Sequence, residues 1–432
     1  MNSSINQLVN FDRFRPFNKL IVGFSGGLDS TVLLHVLASH PILHAKLVAV
    51  HVNHGISANA VLWQEHCEQF CHTLGISFTT QAVHFDRSAN IEEQARIARY
   101  AVFSSLMTEQ DCLVLGHHQN DQAETVLLQL FRGAGIDGLA AMAETGSFST
   151  GTLIRPFLSY SREQLEDYAA SYQLEWIEDE SNEDINYSRN YLRHKIIPLL
   201  AEKWPKVIGT IARTATHCQQ AKENLDALAI YDHALLQHDV LSLEPLQQLN
   251  DERIMNVLRV WLRNNKVQLP STVTLNRLIH EMIFARTDAV SEVSWGEIII
   301  RRYQSRLYLG TKDKPNLQSC IEWIEFPEPL AIESAGVSIV AKRVNEELGL
   351  SIPPNAKIVV RFRQGGEKLA WHGQTKCLKK LFQEWKIPPW FRERIPLIYI
   401  NDELAVVIGY AVSDLFFRKN VPSTWLLVCQ EL

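Results

Sequence analysis

Leu20-Ile21-Val22-Gly23-Phe24-Ser25-Gly26-Gly27-Leu28-Asp29-Ser30 is the stretch on which the architecture turns. Residues 20–24 are a short apolar run, the pattern of a strand buried on both faces. A helical spacing of apolar residues follows through Leu34 and Leu37. Between the two, adjacent glycines present no side chain, so the backbone can approach an anion closely. The N–H groups that open the following helix, with its partial positive charge, suit a pyrophosphate. Ser25 and Ser30 add hydroxyl donors. Asp29 is out of place beside a phosphate unless it meets a cation or a substrate proton. A Walker-type loop, GxxxxGK[ST], is disfavoured because no lysine follows. Against this nucleotide-loop reading stands a plain strand-to-helix turn with a serine or aspartate cap.

Working outward, residues 47–52 give a second buried-strand pattern, followed by helical spacing through Trp63, Cys67, Phe70 and Leu74. A third strand over 77–83 precedes a helix over 91–107, and a fourth over 112–115 precedes a helix over about 119–131. Strands alternating with helices require crossovers and hence a parallel sheet, which binds ligands beyond the carboxyl ends of its strands. From about 196 to 263 the pattern is mostly helical, with a hairpin-like stretch near 295–309. KDKPNLQS (312–319) reads as a linker, and a mixed segment with aromatic and β-branched runs follows. Three domains are expected, over 1–215, 216–315 and 316–432, in a chain of 432 residues.

Composition narrows the class. Apolar residues make up 46% and charged residues 21%, as in ordinary globular proteins. No apolar run approaches the roughly 18 residues that span a bilayer, and the N-terminus lacks the features of a signal peptide, so a cytoplasmic location is expected. The seven cysteines are scattered without a CxxC, which points to reduced thiols rather than a metal site. The net charge of −6 argues mildly against a nucleic-acid binder, but phosphate binding depends on local patches.

Further strings lie where the parallel-sheet reading places ligands. They are His51-Val52-Asn53-His54-Gly55, the run 92–100 (EEQARIARY), Gly116-His117-His118-Gln119-Asn120-Asp121-Gln122-Ala123-Glu124-Thr125, and Arg132-Gly133-Ala134-Gly135. Asp179-Glu180-Ser181-Asn182 follows, with Tyr187, Arg189, Asn190 and Arg193 downstream. SGGLDS resembles the PP-loop motif of the N-type ATP pyrophosphatases, which adenylate a carbonyl oxygen and release pyrophosphate. Taken in order over about 20–200, with the segment 361–399 beyond, these strings resemble the tRNA(Ile)-lysidine synthase family.

That resemblance implies an α/β fold: a parallel-sheet PP-loop nucleotide-binding domain, a mainly helical middle domain and a small α+β C-terminal domain. It implies adenylation of carbon 2 of the wobble cytidine in a CAU anticodon of tRNA(Ile), attack by the ε-amine of free L-lysine, and loss of AMP. ATP would be bound by Ser25, Gly26, Gly27, Leu28, Asp29 and Ser30, with Mg²⁺ on Asp121 and Glu124, which lie three apart on one helix face. Asp29, His117, Asp121 and Glu124 are the expected catalytic residues. Arg96 and Arg99, and Arg189 and Arg193, are expected at nucleotide or RNA phosphates. Where the family usually has a first aspartate after the histidines this chain has Asn120, expected here as a helix cap.

The charge for RNA is expected in the C-terminal third. Ten Lys/Arg but three acidic residues fall between Lys357 and Arg394, a local balance of +7. Arg361, Arg363, Lys379 and Lys380 are the chosen tRNA contacts. Interleaved Trp371, Phe382, Trp385, Trp390 and Phe391 suit stacking or a local core. Three other readings compete: a tRNA cytidine thiolase, disfavoured without CxxC; a small-molecule synthetase such as an NAD synthetase, which needs no basic domain; and a non-catalytic tRNA binder, disfavoured by the intact loop.

Overall fold

The computed structural model describes residues 9–55, 57, 59–85, 91–286, 291–312, 317, 320–344, 349–418 and 424–431. The chain divides into two compact units, residues 1–228 and 229–432. Of the linker expected over 312–319, residues 313–316, 318 and 319 lie outside the described residues.

In the first unit the apolar runs become β1 (Lys19–Gly23), β2 (Leu47–Asn53), β3 (Ser77–Ala82) and β4 (Asp111–Val114). Two short strands, β5 (Thr145–Phe148) and β6 (Gly151–Ile154), complete a sheet of order β3-β2-β1-β4-β6-β5. β1 pairs in parallel with β2 and β4, β4 with β6, and β5 closes the edge as an antiparallel hairpin. The connecting helices are α1 (Leu28–Ala38), α2 (Ala60–Leu74), α3 (Ile91–Ser105) and α4 (Gln119–Phe131), followed by α5 (Arg162–Ser171).

Alternation along β1 separates two cores. Leu20 and Val22 face a layer with α1, Cys67 and Cys71 of α2, and Leu165 of α5. Ile21 faces the opposite layer with Val102 and Phe103 of α3. Eight of the eleven residues of α1 are buried, so this helix is apolar nearly all round rather than amphipathic. Removing a side chain such as Leu33 there would cost about 2–5 kcal/mol through lost transfer energy and a cavity. The cysteines of α2 are core residues, and burial pushes the thiols of Cys67 and Cys71 up to about 12.

Beyond α5 the chain forms α6 (Ser188–Tyr191), a π turn (Leu192–Ile196), α7 (Ile197–Lys203) and α8 (Val207–Asp232). The π turn precedes Pro198, which has no N–H for an ordinary helical bond. The domain boundary expected near 215 falls within α8.

The second unit opens with α9 (Asp251–Asn264) and α10 (Thr272–Arg277) against a four-stranded antiparallel sheet. Its strands are β7 (Val240–Ser242), β8 (Glu292–Trp295), β9 (Ile298–Tyr303) and β10 (Arg306–Thr311), in the order β7-β10-β9-β8. The hairpin expected near 295–309 is thus part of a larger sheet. Asn250 caps α9 by accepting the Arg253 N–H at 3.0 Å, and Trp261 on its inner face donates to the His238 carbonyl at 2.7 Å. After residue 320 two five-stranded sheets carry the core of Ile339, Val360, Ile398 and Ile400. Beside it α11 (Leu378–Glu384) buries Leu378, Leu381 and Phe382.

Candidate active site

The loop after β1 has the conformation its sequence requires. Gly26 has φ +83°, and a Cβ there would lie 2.6 Å from Ile177 Cδ1 and 2.8 Å from Cys67 Sγ. Both the backbone angle and the space demand glycine. The Gly26 carbonyl accepts the Ile177 N–H at 2.9 Å and the Thr31 hydroxyl at 3.2 Å, which fixes the turn from behind. Ser30 Oγ donates to the Gly27 carbonyl and accepts the Ser25 N–H, while Ser25 Oγ accepts the Gly27 N–H. The serines therefore brace the loop as well as offering hydroxyls to a ligand. Gly116 permits close contact between the segment after β4 and the first turn of α1, since a Cβ there would lie 2.9 Å from the Asp29 carbonyl oxygen.

The loop opens on a cavity of about 750 Å³ at the carboxyl ends of β1, β2 and β4. Ser25, Gly27, Asp29, Ser30, His117 and Asp121 line it. So do all four arginines selected from two distant segments: Arg96 and Arg99 on α3, Arg189 on α6 and Arg193 on the π turn. Burial, reinforced by neighbouring Arg96 and Arg189, lowers the Arg99 guanidinium from its ordinary value. His54, also on the wall, is pushed down to about 4 by burial and by Arg99.

The paired histidines after β4 have opposite environments. His117 accepts a hydrogen bond at Nδ1 from Arg155 Nε at 3.3 Å. Burial drives it down to about 3, with Arg155, Arg99 and Arg189 adding to the effect against Asp121. It is neutral at any physiological pH. His118 caps α4: its Nδ1 accepts the Asn120 N–H at 3.2 Å, and Asp121 Oδ2 accepts the His118 N–H at 3.0 Å. Its Nε2 then faces Asp29 Oδ1 at 3.4 Å and Asp121 Oδ2 at 3.6 Å. Burial works against charge on this ring, but the two carboxylates outweigh it and the net shift is upward.

Two expectations are corrected here. Asn120 is not the cap of α4, because His118 occupies that position. The Asn120 amide oxygen instead accepts the Arg162 N–H at 3.1 Å, tying α4 to the start of α5. A neutral amide fills that role, so its presence in place of a carboxylate removes nothing from the cavity. Glu124 does not face the cavity as a cation ligand. It is buried and accepts from Arg193 Nε at 2.7 Å and Nη2 at 3.0 Å, with Arg189 Nε 3.1 Å away. The bidentate pair fixes Arg193, while Arg189 is held by the Glu124 charge and by its Nη2 donating to Thr125 Oγ1 at 2.9 Å. Glu124 therefore orients arginines on the cavity wall rather than lining it.

In the second unit, the four basic residues selected for RNA divide into two pairs. Arg361 is hydrogen-bonded to Asp402 at 2.7 Å and lies over the Tyr399 ring, and Arg363 lies 3.8 Å from Glu367 over Phe382. Lys379 and Lys380 are exposed on α11. Phe382 is core, and Trp390 packs edge-on against Tyr303 and Tyr308.

A family model described as a PP-loop domain matches residues 1–200; a TilS substrate binding domain matches 241–308 and a TilS substrate C-terminal domain matches 358–429. The tRNA(Ile)-lysidine synthase of Legionella pneumophila (strain Lens) is 60% identical over 418 residues, 96% of each chain. The chain belongs to the tRNA(Ile)-lysidine synthase family. The family's enzyme from Coxiella burnetii (strain RSA 493 / Nine Mile phase I) is 40% identical over 415 residues, 94% of this chain and 91% of that one. Among solved structures, the U34-tRNA thiolase NcsA from Methanococcus maripaludis aligns with TM-score 0.42 and 19% identity, covering 49% of this chain and 75% of the other. As a tRNA(Ile)-lysidine synthase family member the chain carries an ATP-utilising PP-loop domain. Among the described residues, no helix is long and apolar enough to cross a membrane, and no group of three or more His, Cys, Asp or Glu is placed to hold a metal ion.

Sequence reading missed three residues of this family member's site. His118 was quoted but given no role, although a polar side chain just before a helix is a cap signal. Arg155 follows β6, a strand too short to be recognised. Gln122, buried on α4, clamps Met142 by donating to its carbonyl at 2.8 Å and accepting its N–H at 3.0 Å. Neither Arg155 nor Gln122 has a local signal, because each acts through a partner 20 or more residues away.

Proposed function

We propose that this chain ligates free lysine to carbon 2 of the wobble cytidine in the CAU anticodon of tRNA(Ile), through an adenylated cytidine. Pyrophosphate and AMP are released, and decoding changes from AUG to AUA. The observation that carries this reading is that the PP-loop and four arginines from two separate segments line one cavity. A nucleoside triphosphate and an RNA strand both need such a wall, one for pyrophosphate and the other for backbone phosphates.

The chemistry follows from the groups. A pyrimidine carbonyl oxygen is a very poor leaving group, whereas its adenylate is a good one. The start of α1 offers N–H donors and a positive dipole end to the departing pyrophosphate. Arg96, Arg99, Arg189 and Arg193 offset phosphate charge, and Glu124 keeps the last two oriented. The lysine ε-amine has an ordinary pKa near 10.4, so only about 1 in 2,500 is free base at pH 7. Carboxylates on the cavity wall therefore serve to draw in and orient the ammonium, whose proton must pass to a base before the amine attacks. Asp121 is held below its ordinary value because the His118 ring and the His118 backbone N–H outweigh the effect of burial, so it acts as a charge partner more than as a base.

The residues also fit Mg²⁺. Asp29 Oδ1 and Asp121 Oδ2 converge on His118 Nε2 at 3.4 and 3.6 Å, so the two carboxylates stand close together on the cavity wall. Two carboxylate oxygens, with the rest of the shell from water and phosphate, are what Mg²⁺ takes. Asp29 and Asp121 would hold it, and when bound it supplies neutralisation of charge on the phosphates. Residues 1–215 serve as the catalytic domain, with 216–315 and 316–432 as tRNA-binding regions in which Lys379 and Lys380 meet backbone phosphate. The setting is cytoplasmic, where ATP, lysine and tRNA occur together.

The test uses ATP labelled at the α-phosphate, tRNA(Ile) and no lysine. Label is expected on the RNA with equimolar pyrophosphate, and added lysine should chase it to AMP. Unlabelled RNA and no pyrophosphate would contradict the reading.

A further inference from the structure

Arg155 has no part in the reaction as described above, yet it is directed at a group on the cavity wall. Parallel pairing of β4 with β6 sets Val114 opposite Ile154, so the residues just past both strands, His117 and Arg155, emerge side by side. Arg155 Nε donates to His117 Nδ1 at 3.3 Å, and Arg155 Nη1 donates to the Ala143 carbonyl at 2.8 Å. That carbonyl is held in turn, because Gln122 clamps the neighbouring Met142 through both of its amide groups. The guanidinium is therefore fixed at two points, and its orientation does not depend on a ligand.

A guanidinium has donors and no acceptor. The imidazole nitrogen it meets must present a lone pair, so the ring proton of His117 resides on Nε2. With Nδ1 engaged by Arg155, Nε2 is the nitrogen left to meet a ligand in the cavity that the ring lines. We propose that Arg155 is a positioning residue that locks His117 as a neutral Nε2–H donor, so that position 117 accepts only a lone-pair edge from the substrate base. Both pyrimidines present lone pairs at O2, but N3 is a lone pair in cytosine and an N–H in uracil, so the contact that discriminates is the one to N3. A fixed donor facing an N–H leaves both groups unpaired in a desolvated site, which is costly. Discrimination of cytidine from uridine then resides partly in a residue that never touches the base. This inference rests on the proposed RNA substrate.

The tautomer is read without substrate by long-range ¹H–¹⁵N NMR of protein labelled in histidine. The wild-type spectrum should show His117 with a bare Nδ1, and Arg155→Met should convert it to a tautomer mixture. In the adenylation assay, Arg155→Met should lower kcat by about 10–100-fold, the usual effect of losing such an outer partner, with the KM for ATP unchanged. Its preference for C34 over U34 transcripts should shrink by a similar factor. Arg155→Lys keeps a donor and should recover most of both. In a His117→Ala background, Arg155→Met should have no further effect. An unchanged His117 spectrum in Arg155→Met, or an undiminished rate loss in the His117→Ala background, would overturn the proposal. Absence of adenylated RNA with the wild type would instead sink the reaction, while the substrate-free spectra would still decide the positioning claim.

Discussion

Asp29 is the side chain least explicable by folding alone: it opens α1 at the proposed phosphate loop, its Oδ1 meets His118 Nε2 only at a long 3.4 Å, and its side chain is 33% exposed. Asp29→Asn is therefore expected to fold normally and to reduce pyrophosphate release at least 100-fold, with partial recovery at high Mg²⁺; an unaltered rate would remove Asp29 from the site. Glu124 has the opposite character. Its side chain is 1% exposed and serves two arginines, so Glu124→Gln leaves both without their carboxylate. A loss of about 3 kcal/mol in urea unfolding is expected, and a loss below 0.5 kcal/mol would mean that the pair is not structural. The histidines give stability a pH dependence. His117, held to about 3, and His54, held to about 4, stay neutral when folded but return to 6.5 on unfolding. Their folded values are depressed, so the unfolded chain binds more protons below pH 6.5. The share of stability due to these two histidines should be complete above pH 6.5 and fall as pH drops toward 4. A melting temperature equal at pH 7.5 and pH 5 would contradict this.

The turn between β1 and α1 shows how much of an element can be read from its residues. Gly26 needs a left-handed backbone and an empty Cβ position, so Gly26→Ala should abolish ATP-dependent activity while the chain still folds. Wild-type activity in that variant would mean that the loop can relax, and the reading of its geometry would fail. The four expected strands and the helices after them were legible because each is a dense apolar run or a helical spacing long enough to stand out. β5 and β6 were not, since TGSF and GTLI are four residues each and carry a glycine, and β5 is a half-exposed edge strand. The cap of α4 was misplaced by two residues. Asn120 has the right chemistry for a cap, but the tertiary bond to Arg162 N claims its oxygen, and His118 takes over. Likewise Asp121 and Glu124 share a helix face by spacing, yet one reaches the cavity and the other is enclosed by arginines. Periodicity gives a face; it does not give depth.

For the molecule as a whole, a net charge of −6 conceals a local excess of +7 over residues 357–394. Several of those charges are already paired: Arg361 with Asp402, Lys376 with Glu384 and Lys357 with Glu322. Counting charges along the sequence overstates the basic surface, because two of these acids, Asp402 and Glu322, come from outside the counted span. Exposed Lys379 and Lys380 are the proposed phosphate contacts. Replacing both with alanine should reduce the slope of log affinity against log salt by about 2, and an unchanged slope would exclude them. The proposed reaction requires that ATP be split to AMP and pyrophosphate while lysine is joined to an RNA base. Nucleosides from a tRNA(Ile) transcript with a CAU anticodon, digested after incubation with the enzyme, ATP, Mg²⁺ and lysine, decide this by mass spectrometry. The wobble cytidine should be replaced by lysidine in equal amount to the AMP formed. An unmodified cytidine, or turnover of ATP to ADP and phosphate, would contradict the account.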